Sequence, residues 1–206
     1  TAAFGTDLTR RGTVDIDRPI PELGDGTAFR ITAMAHQAEI AGHDGARIKR
    51  FGFAPSLGLG LGTPTRLTLS YFHQSANDVP DYGFPWYFGV PAPVPRNNFY
   101  GFTTDYLNND ADIGTAMIEH DLAPGITLRD QFRIADYTRE ERISQAVIPA
   151  SVTPATPLDS ILVNRNVYAG HSQEQFIQNQ TDLVARFDTG AIQHNLIAGG
   201  EIGHER

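Results

Sequence analysis

Cysteine is absent from the 206 residues of the chain. Its absence excludes a disulfide-stapled scaffold, a thiolate metal site and a cysteine nucleophile. Long apolar runs are also missing, since no stretch approaches the roughly 18–20 apolar residues that a membrane-spanning helix requires. The first residue is Thr rather than Met, and the last residues resemble a strand that stops midway. We therefore expect the chain to be a piece of a longer protein.

Basic charge and helix signals are scarce as well. The chain has 16 Lys and Arg against 24 Asp and Glu, for a net charge of −8, which argues against nucleic acid as a partner. No apolar residues recur with sustained i, i+3, i+4 spacing, and no capping box precedes such a run. The sequence therefore predicts an all-β fold.

Alternation of apolar and polar residues is the dominant pattern, and it predicts eight strands. The predicted strands are residues 6–18, 27–39, 49–62, 66–74, 112–122, 126–139, 173–188 and 192–206. The faces of residues 112–122 stay unassigned because Ile113 and Met117 oppose Ile118. Asp130 falls on the apolar side of its strand, against the pattern.

The connections between these strands predict a membrane barrel. Short turns are expected at 19–26, 62–65, 123–125 and 189–191, and longer connections at 40–47, 76–111 and 140–172. The predicted strands are longer than the roughly 5–6 residues typical of strands in soluble proteins and match the length of outer-membrane strands. In outer-membrane barrels, short turns connect the strands at one rim and long loops connect them at the other. Five arginines on the polar faces suit a hydrated lumen and would be costly in a sandwich core. They are Arg30, Arg50, Arg66, Arg129 and Arg133. An antiparallel transmembrane β-barrel segment with short periplasmic turns and long extracellular loops is favoured over a soluble β-sandwich.

The longest connection, residues 77–110, is rich in aromatic residues. It contains the only tryptophan and four of the seven tyrosines. Its aromatic residues are Tyr82, Phe84, Trp86, Tyr87, Phe88, Phe99, Tyr100, Phe102 and Tyr106. Two interpretations remain open: a loop folded on its own aromatic core, and a surface that grips a ring-bearing ligand.

Two stretches carry a family resemblance. They are A-P-S-L-G-L-G-L-G-T-P-T, followed by a strand that ends in Y-F-H-Q, and P-D-Y-G-F-P at the start of the aromatic loop. Over nearly its whole length the chain resembles the barrel of TonB-dependent siderophore receptors, most of all the catecholate-type branch. Such receptors have a 22-stranded barrel, an N-terminal plug and a TonB box. The resemblance implies that residues 1–206 form a partial barrel domain, with the plug and the remaining strands absent.

The resemblance also implies a function and partners. It implies a receptor in the outer membrane of a Gram-negative bacterium that takes up ferric siderophores, with outer-membrane lipid around it and the TonB complex acting through the absent plug and box. No cofactor and no protein ligand for iron are expected, because iron arrives already wrapped by the siderophore. The alternatives are a passive porin or adhesin-like barrel and a soluble enzyme on a β-sandwich.

Motifs for catalysis or metal binding are weak. The seven histidines are scattered, without an i, i+4 helical pair or an H-x-H sequence. No nucleophile elbow is present, and Gly58, Gly60 and Gly62 alternate in a strand rather than opening a helix as in a phosphate loop. We therefore expect no enzyme and no metal site.

The candidate ligand-binding residues lie in the aromatic loop. They are Tyr82, Trp86, Tyr87, Arg96 and Tyr100. The Arg96 guanidinium is suited to stacking on, or pairing with, an anionic catecholate. The alternative for Arg96 is an ion pair with Asp81 or Asp105 that pins the loop.

Overall fold

A computed structural model describes all of residues 1–206, and almost all regular structure in it is β-strand. Two short 3-10 turns, Pro21–Leu23 and Leu158–Ser160, are the only helical elements. No helix is long and apolar enough to cross a membrane. The strands are β1 (Ala2–Phe4), β2 (Arg10–Pro19), β3 (Ala28–Ile40), β4 (His43–Leu59), β5 (Thr65–Asp78), β6 (Trp86–Tyr87), β7 (Val90–Pro91), β8 (Tyr106–Ala123), β9 (Ile126–Val147), β10 (Asn164–Thr189) and β11 (Ile192–Glu205).

Nine of the strands form one antiparallel sheet in the order β1-β2-β3-β4-β5-β8-β9-β10-β11. Each long strand therefore pairs with its sequence neighbours, and β6 and β7 form a separate small hairpin within the β5–β8 connection. Only 14 of 206 residues are buried, because the sheet is a single layer with both faces open. The prediction of an antiparallel segment with about eight long strands is confirmed.

The register separates an apolar face from a mostly polar face. One row of the apolar face aligns Leu57, Leu69, Ala116 and Phe132 across four strands. The adjacent row on the other side aligns Ser56, Ser70, Thr115 and Arg133. Since side chains alternate along a strand, these two rows assign every other residue of the four strands to one face or the other.

The register also assigns the faces of β8, which the sequence did not settle. Ile118 pairs with Leu67 and lies on the apolar face. Ile113 and Met117, which pair with Phe72 and Thr68, lie on the polar face.

Asp130 lies on the apolar face, as its position in the alternation predicts. It pairs in register with Ile118 on one side and Thr181 on the other. Thr181 Oγ1 donates a hydrogen bond of 2.6 Å to its carboxylate, and Asn179 Nδ2 donates one of 3.0 Å. Donors from the neighbouring strand therefore solvate this carboxylate on a face that is otherwise apolar.

Four of the five arginines that the sequence analysis placed on the polar faces form ion pairs with carboxylates. The pairs are Arg30 with Asp15 at 2.8 Å, Arg50 with Asp78 at 2.9 Å, Arg66 with Asp121 at 2.6 Å and Arg129 with Asp182 at 2.8 Å. Asp121 lies next to a turn, outside the apolar band, and hydrogen bonds from Arg66 and Thr127 hold the pKa of its carboxyl far below the usual range. Arg133 has no carboxylate partner.

The two rims of the sheet differ. One rim, here called the turn rim, has connections at 20–27, 60–64, 124–125 and 190–191. The opposite rim, the loop rim, has connections at 5–9, 41–42, 79–105 and 148–163. Short turns at one rim and two long loops at the other match the barrel prediction.

Some predicted boundaries were wrong. Residues 40–47 are not a longer connection, because Ile40 pairs with His43 around a two-residue turn in which Gly42 has a φ of 73°. The first strand begins at Arg10 rather than residue 6, after the separate short strand β1. The connection predicted at 140–172 spans only 148–163, because β9 and β10 stay paired up to Val147 and Asn164. Both faces of this extension are polar, so it lacks the alternation that identifies a half-buried strand.

Candidate functional site at the loop rim

The aromatic loop, residues 79–105, is attached on one side to the β3–β4 turn. The Asp44 backbone N–H donates to the Asn97 carbonyl at 3.1 Å, and Asn97 Nδ2 donates to the Asp44 carboxylate at 3.0 Å. His43 Nδ1 lies 2.6 Å from an Asp81 oxygen, and its ring stacks on Phe84 with 5.9 Å between centroids. These contacts hold two distant parts of the loop, around Asp81 and Asn97, at the same end of the β3–β4 hairpin.

Gly45 allows the loop to approach this closely. Its φ is 92°, a conformation that residues with a Cβ rarely adopt. A Cβ at this position would lie 2.8 Å from the Phe99 ring. The glycine therefore provides both the backbone bend and the space for the phenylalanine.

On its other side the loop is attached to β9 through Asp105, which is 2% exposed. The Asp105 carboxylate accepts hydrogen bonds from the Phe102 N–H at 3.0 Å, the Ser144 N–H at 3.1 Å and Ser144 Oγ at 3.0 Å. Three donors compensate for the burial of the charge. Asp105 thus fixes the chain where it leaves the loop and enters β8.

Two β10 residues complete the attachment. The Arg165 guanidinium lies over the Phe102 ring, 4.4 Å from its centroid. Tyr82 and Tyr168 stack with centroids 6.1 Å apart and an angle of 14° between the rings. Tyr168 Oη donates to Gln145 Oε1 at 2.9 Å, and both residues lie on the polar face. Tyr82 is therefore held at the side of the sheet that lines the lumen in a closed barrel.

The five predicted ligand-binding residues divide into two groups. Tyr82 and Trp86 are 53% and 66% exposed, and Arg96 is also exposed. Tyr87 is half-buried, with its ring packed edge-on against Phe88 at 4.6 Å. Tyr100 is half-buried as well, since its ring meets Phe84 edge-on and its hydroxyl accepts a hydrogen bond from Asn98. The loop thus combines partly buried, mutually packed rings with exposed ones, and the ligand-binding role of the exposed rings stays a prediction.

Arg96 does not form the ion pair considered as its alternative. Asp81 is engaged by His43 and by the Gly83 N–H, and Asp105 is engaged by Ser144 and Phe102. Arg96 takes part in no salt bridge, and its charge is free to meet an anion from solution.

Sequence reasoning missed Ser144, Arg165 and Tyr168, because all three fell in the predicted 140–172 connection. Nothing in the sequence marks their role, because the stretch that contains Arg165 and Tyr168 lacks the alternation that identified the following strand.

Relatives of the chain cover its full length. It is 32% identical over 222 residues to the catecholate siderophore receptor Fiu of Escherichia coli (strain K12) and covers 29% of that protein. It is 32% identical over 221 residues to the probable TonB-dependent siderophore receptor PiuA of Acinetobacter baumannii, covering 28% of it. The probable TonB-dependent receptor BfrD of Bordetella pertussis is 36% identical over 213 residues, with 28% covered. The chain thus spans less than a third of the length of these relatives.

Solved structures give the same result. The closed form of the ferric-catecholate import receptor Fiu from E. coli K12 matches 99% of this chain, and 30% of its own, with a TM-score of 0.87 and 31% identity. PiuA from A. baumannii matches 99% of this chain and 29% of its own, with a TM-score of 0.85 and 31% identity. No family model matches the sequence. Together with the two-rimmed antiparallel sheet, these matches establish that the chain belongs to the TonB-dependent siderophore receptors, as a segment of their outer-membrane β-barrel.

Proposed function

We propose that the intact protein takes up ferric siderophores, of the catecholate class, across the outer membrane of a Gram-negative bacterium, with energy from the TonB complex. The observation that carries this proposal is the match to the ferric-catecholate import receptor, which extends through 99% of the chain at 31% identity. The match therefore includes the aromatic loop as well as the strands. Nothing in the structure or in these relatives favours a passive porin.

In this proposal residues 1–206 supply eight long strands of a larger barrel. The remaining strands, the plug and the TonB box belong to other parts of the protein. The sheet itself supports this arrangement, because β11 has an unpaired edge. An unpaired edge in lipid leaves backbone N–H and C=O groups without partners, so further strands are needed to close the wall.

The proposed ligand contact surface consists of Tyr82, Trp86, Tyr87, Arg96 and Tyr100. A ferric catecholate complex is anionic and presents aromatic rings at its surface. Exposed Tyr82 and Trp86 offer rings for stacking, and the unpaired Arg96 offers a guanidinium for charge pairing and cation–π contact. Tyr87 and Tyr100 contribute from half-buried positions at the border of the loop interior.

Uptake of radiolabelled ferric catecholate by cells that express the full-length receptor tests the proposed function. We expect saturable uptake that requires TonB and that is lost in a matched strain without TonB. Uptake that rises linearly with concentration and is unaffected by TonB would instead identify a passive porin.

A further inference from the structure

A carboxylate lies in the middle of the apolar face of the sheet. Asp130 is flanked along β9 by Leu128 and Phe132, which point to the same face and are exposed. Ile118 lies beside it on β8, and Thr181 lies beside it on β10. The other carboxylates of this face lie nearer the loop rim. They are Glu39, Asp110, Asp112, Asp136 and Glu140. Asp130 therefore lies at a level of the wall where the bilayer supplies no water, and an ionisable side chain there is costly without a partner.

Two residues of β10 satisfy only part of the hydrogen-bonding capacity of Asp130. Thr181 Oγ1 donates to Oδ2 at 2.6 Å, and Asn179 Nδ2 donates to Oδ1 at 3.0 Å. A carboxylate has about four acceptor sites, so about two of them stay unused. None of the salt bridges of the chain includes Asp130. The three residues Asp130, Asn179 and Thr181 are here called the Asp130 patch.

Asn179 has unused capacity of the opposite kind. One N–H of its amide is used by Asp130, and the amide nitrogen otherwise reaches only the Gln131 carbonyl, at a long 3.4 Å. An amide carries two such donors, so the second is held weakly or not at all. The Asp130 patch therefore offers both a donor and free acceptor sites to a partner.

The surroundings of the Asp130 patch suit contact with another polypeptide. Six exposed apolar side chains surround it. They are Ile118, Leu128, Phe132, Ile177, Leu183 and Ile202. Beside Thr181, Gly200 of β11 has no side chain and has open space around it, which leaves a shallow notch. Proteins associate within a bilayer by close packing around small residues and by hydrogen bonds between polar groups, and this surface provides both.

We propose that the Asp130 patch is the centre of an interface between two copies of the receptor in the outer membrane. Both copies are inserted in the same direction, so a twofold axis along the membrane normal relates them. In a twofold interface each contact occurs twice, with the two residues exchanged between the copies. The second N–H of Asn179 in each copy donates to a free acceptor site of Asp130 in the other copy.

This arrangement uses the free donor and the free acceptor of both copies at once. Each Asp130 carboxylate meets an amide rather than a second carboxylate, which avoids direct contact between like charges. No ligand takes part in the contact, so the interface is independent of the proposed uptake function.

Sedimentation equilibrium of the purified full-length receptor, in detergent matched to the density of the solvent, measures its dimerisation constant. The variants are Asp130→Leu and Asn179→Leu. Ser75→Leu is the matched control, because it also replaces a polar residue by leucine on the apolar face, beside Phe51 and away from the patch. The mobility of unheated samples on a gel identifies the folded fraction of each preparation.

We expect the wild type to dimerise reversibly and both leucine variants of the patch to dimerise about tenfold or more weakly, since hydrogen bonds to a charged group are lost. Ser75→Leu should dimerise as the wild type does. A wild type that stays monomeric at all concentrations would overturn the proposal. Wild-type dimerisation of folded Asp130→Leu and Asn179→Leu would also overturn it.

A mixing experiment separates contact between copies from a role of the patch within one chain. Two copies of Asp130→Asn bring only amides together, and two copies of Asn179→Asp bring only carboxylates together. A mixed pair of these variants has one carboxylate and one amide in each of its two contacts. Both are conservative changes, so the experiment does not depend on the folding of the leucine variants.

The two full-length variants carry different affinity tags and are mixed in detergent, and each is recovered through the tag of the other. The same variant prepared with both tags measures its association with itself. We expect about tenfold more recovery in the mixed sample than with either variant alone, because charge-assisted hydrogen bonds form only in the mixed pair. Equal recovery in all three samples contradicts a contact between Asp130 and Asn179 of different copies, since a role within one chain gives no preference for the mixed pair.

Discussion

The Asp105 carboxylate accepts hydrogen bonds from both the backbone N–H and the hydroxyl of Ser144, at 3.1 and 3.0 Å. The pair joins the end of the aromatic loop to β9 at a residue five positions beyond Arg139, the predicted end of that strand. Because Asp105 is almost fully buried, water does not compete for these hydrogen bonds.

Removal of this attachment should loosen the loop. We expect Asp105→Ala to destabilise the loop by about 1–3 kcal/mol, because two Ser144 donors and the Phe102 N–H lose their acceptor. Limited proteolysis of the folded receptor, with cleavage mapped by mass spectrometry, should show faster cutting within residues 79–105. Ser151→Ala changes an exposed position in the neighbouring connection and is the control. The protease should cut its loop at the wild-type rate. Equal rates for both variants would show that the Asp105–Ser144 pair does not hold the loop.

Two glycines of the β3–β4 hairpin should respond differently to alanine. Gly42 and Gly45 both have positive φ, so each change introduces backbone strain of about 1–2 kcal/mol. The new Cβ at position 45 would also collide with Phe99. The new Cβ at position 42 would have no atom within 4 Å. We therefore expect Gly45→Ala to increase proteolysis of the aromatic loop and Gly42→Ala to leave it near the wild-type rate. Slower proteolysis of the loop in the double variant Gly45→Ala, Phe99→Leu than in Gly45→Ala alone would show that the collision is with Phe99. Equal rates in the two variants would argue against this collision.

The assignment of the faces predicts opposite outcomes for neighbouring positions. Leu57→Arg and Leu69→Arg place a charge toward lipid and should each cost about 2–4 kcal/mol near the bilayer midplane. Ser56→Arg and Ser70→Arg, one residue away in the same strand pair, point to the lumen and should cost much less. Urea titration of the full receptor folded into lipid vesicles measures the difference in the free energy of unfolding between these variants. Equal costs at both pairs of positions would contradict the assignment.

The period-2 pattern predicted most of the strands because one face of each is apolar. It failed where both faces are polar, which is why the paired extension of the two strands, up to Val147 in β9 and from Asn164 in β10, was predicted as a loop. It also failed at Gly42, where a two-residue turn between Ile40 and His43 was predicted as part of a longer connection.

The candidate site was predictable only in part. Composition pointed to the aromatic loop, since rings and prolines gather there within a few residues. The sequence did not show which rings face solvent: Trp86 is exposed, whereas Tyr100 packs on Phe84. That division depends on contacts with the β3–β4 turn and with β10, which are distant in sequence and unpredictable from spacing. The stacking of Tyr82 on Tyr168, 86 positions along the chain, is an example.

We propose that the exposed surface of the aromatic loop binds a ferric catecholate. The affinity of the purified full-length receptor for ferric catecholate in detergent, measured alongside limited proteolysis, tests it most directly. Stacking and cation–π contacts are each worth about 0.5–2 kcal/mol, so Trp86→Ala or Arg96→Ala alone should weaken binding several-fold, and the double variant by about tenfold or more. Leu162→Ala, at an 84% exposed position in the neighbouring connection, should bind as the wild type does. Wild-type affinity in a folded Trp86→Ala, Arg96→Ala double variant, with unchanged proteolysis, would contradict the claim and exclude this loop surface from the binding site.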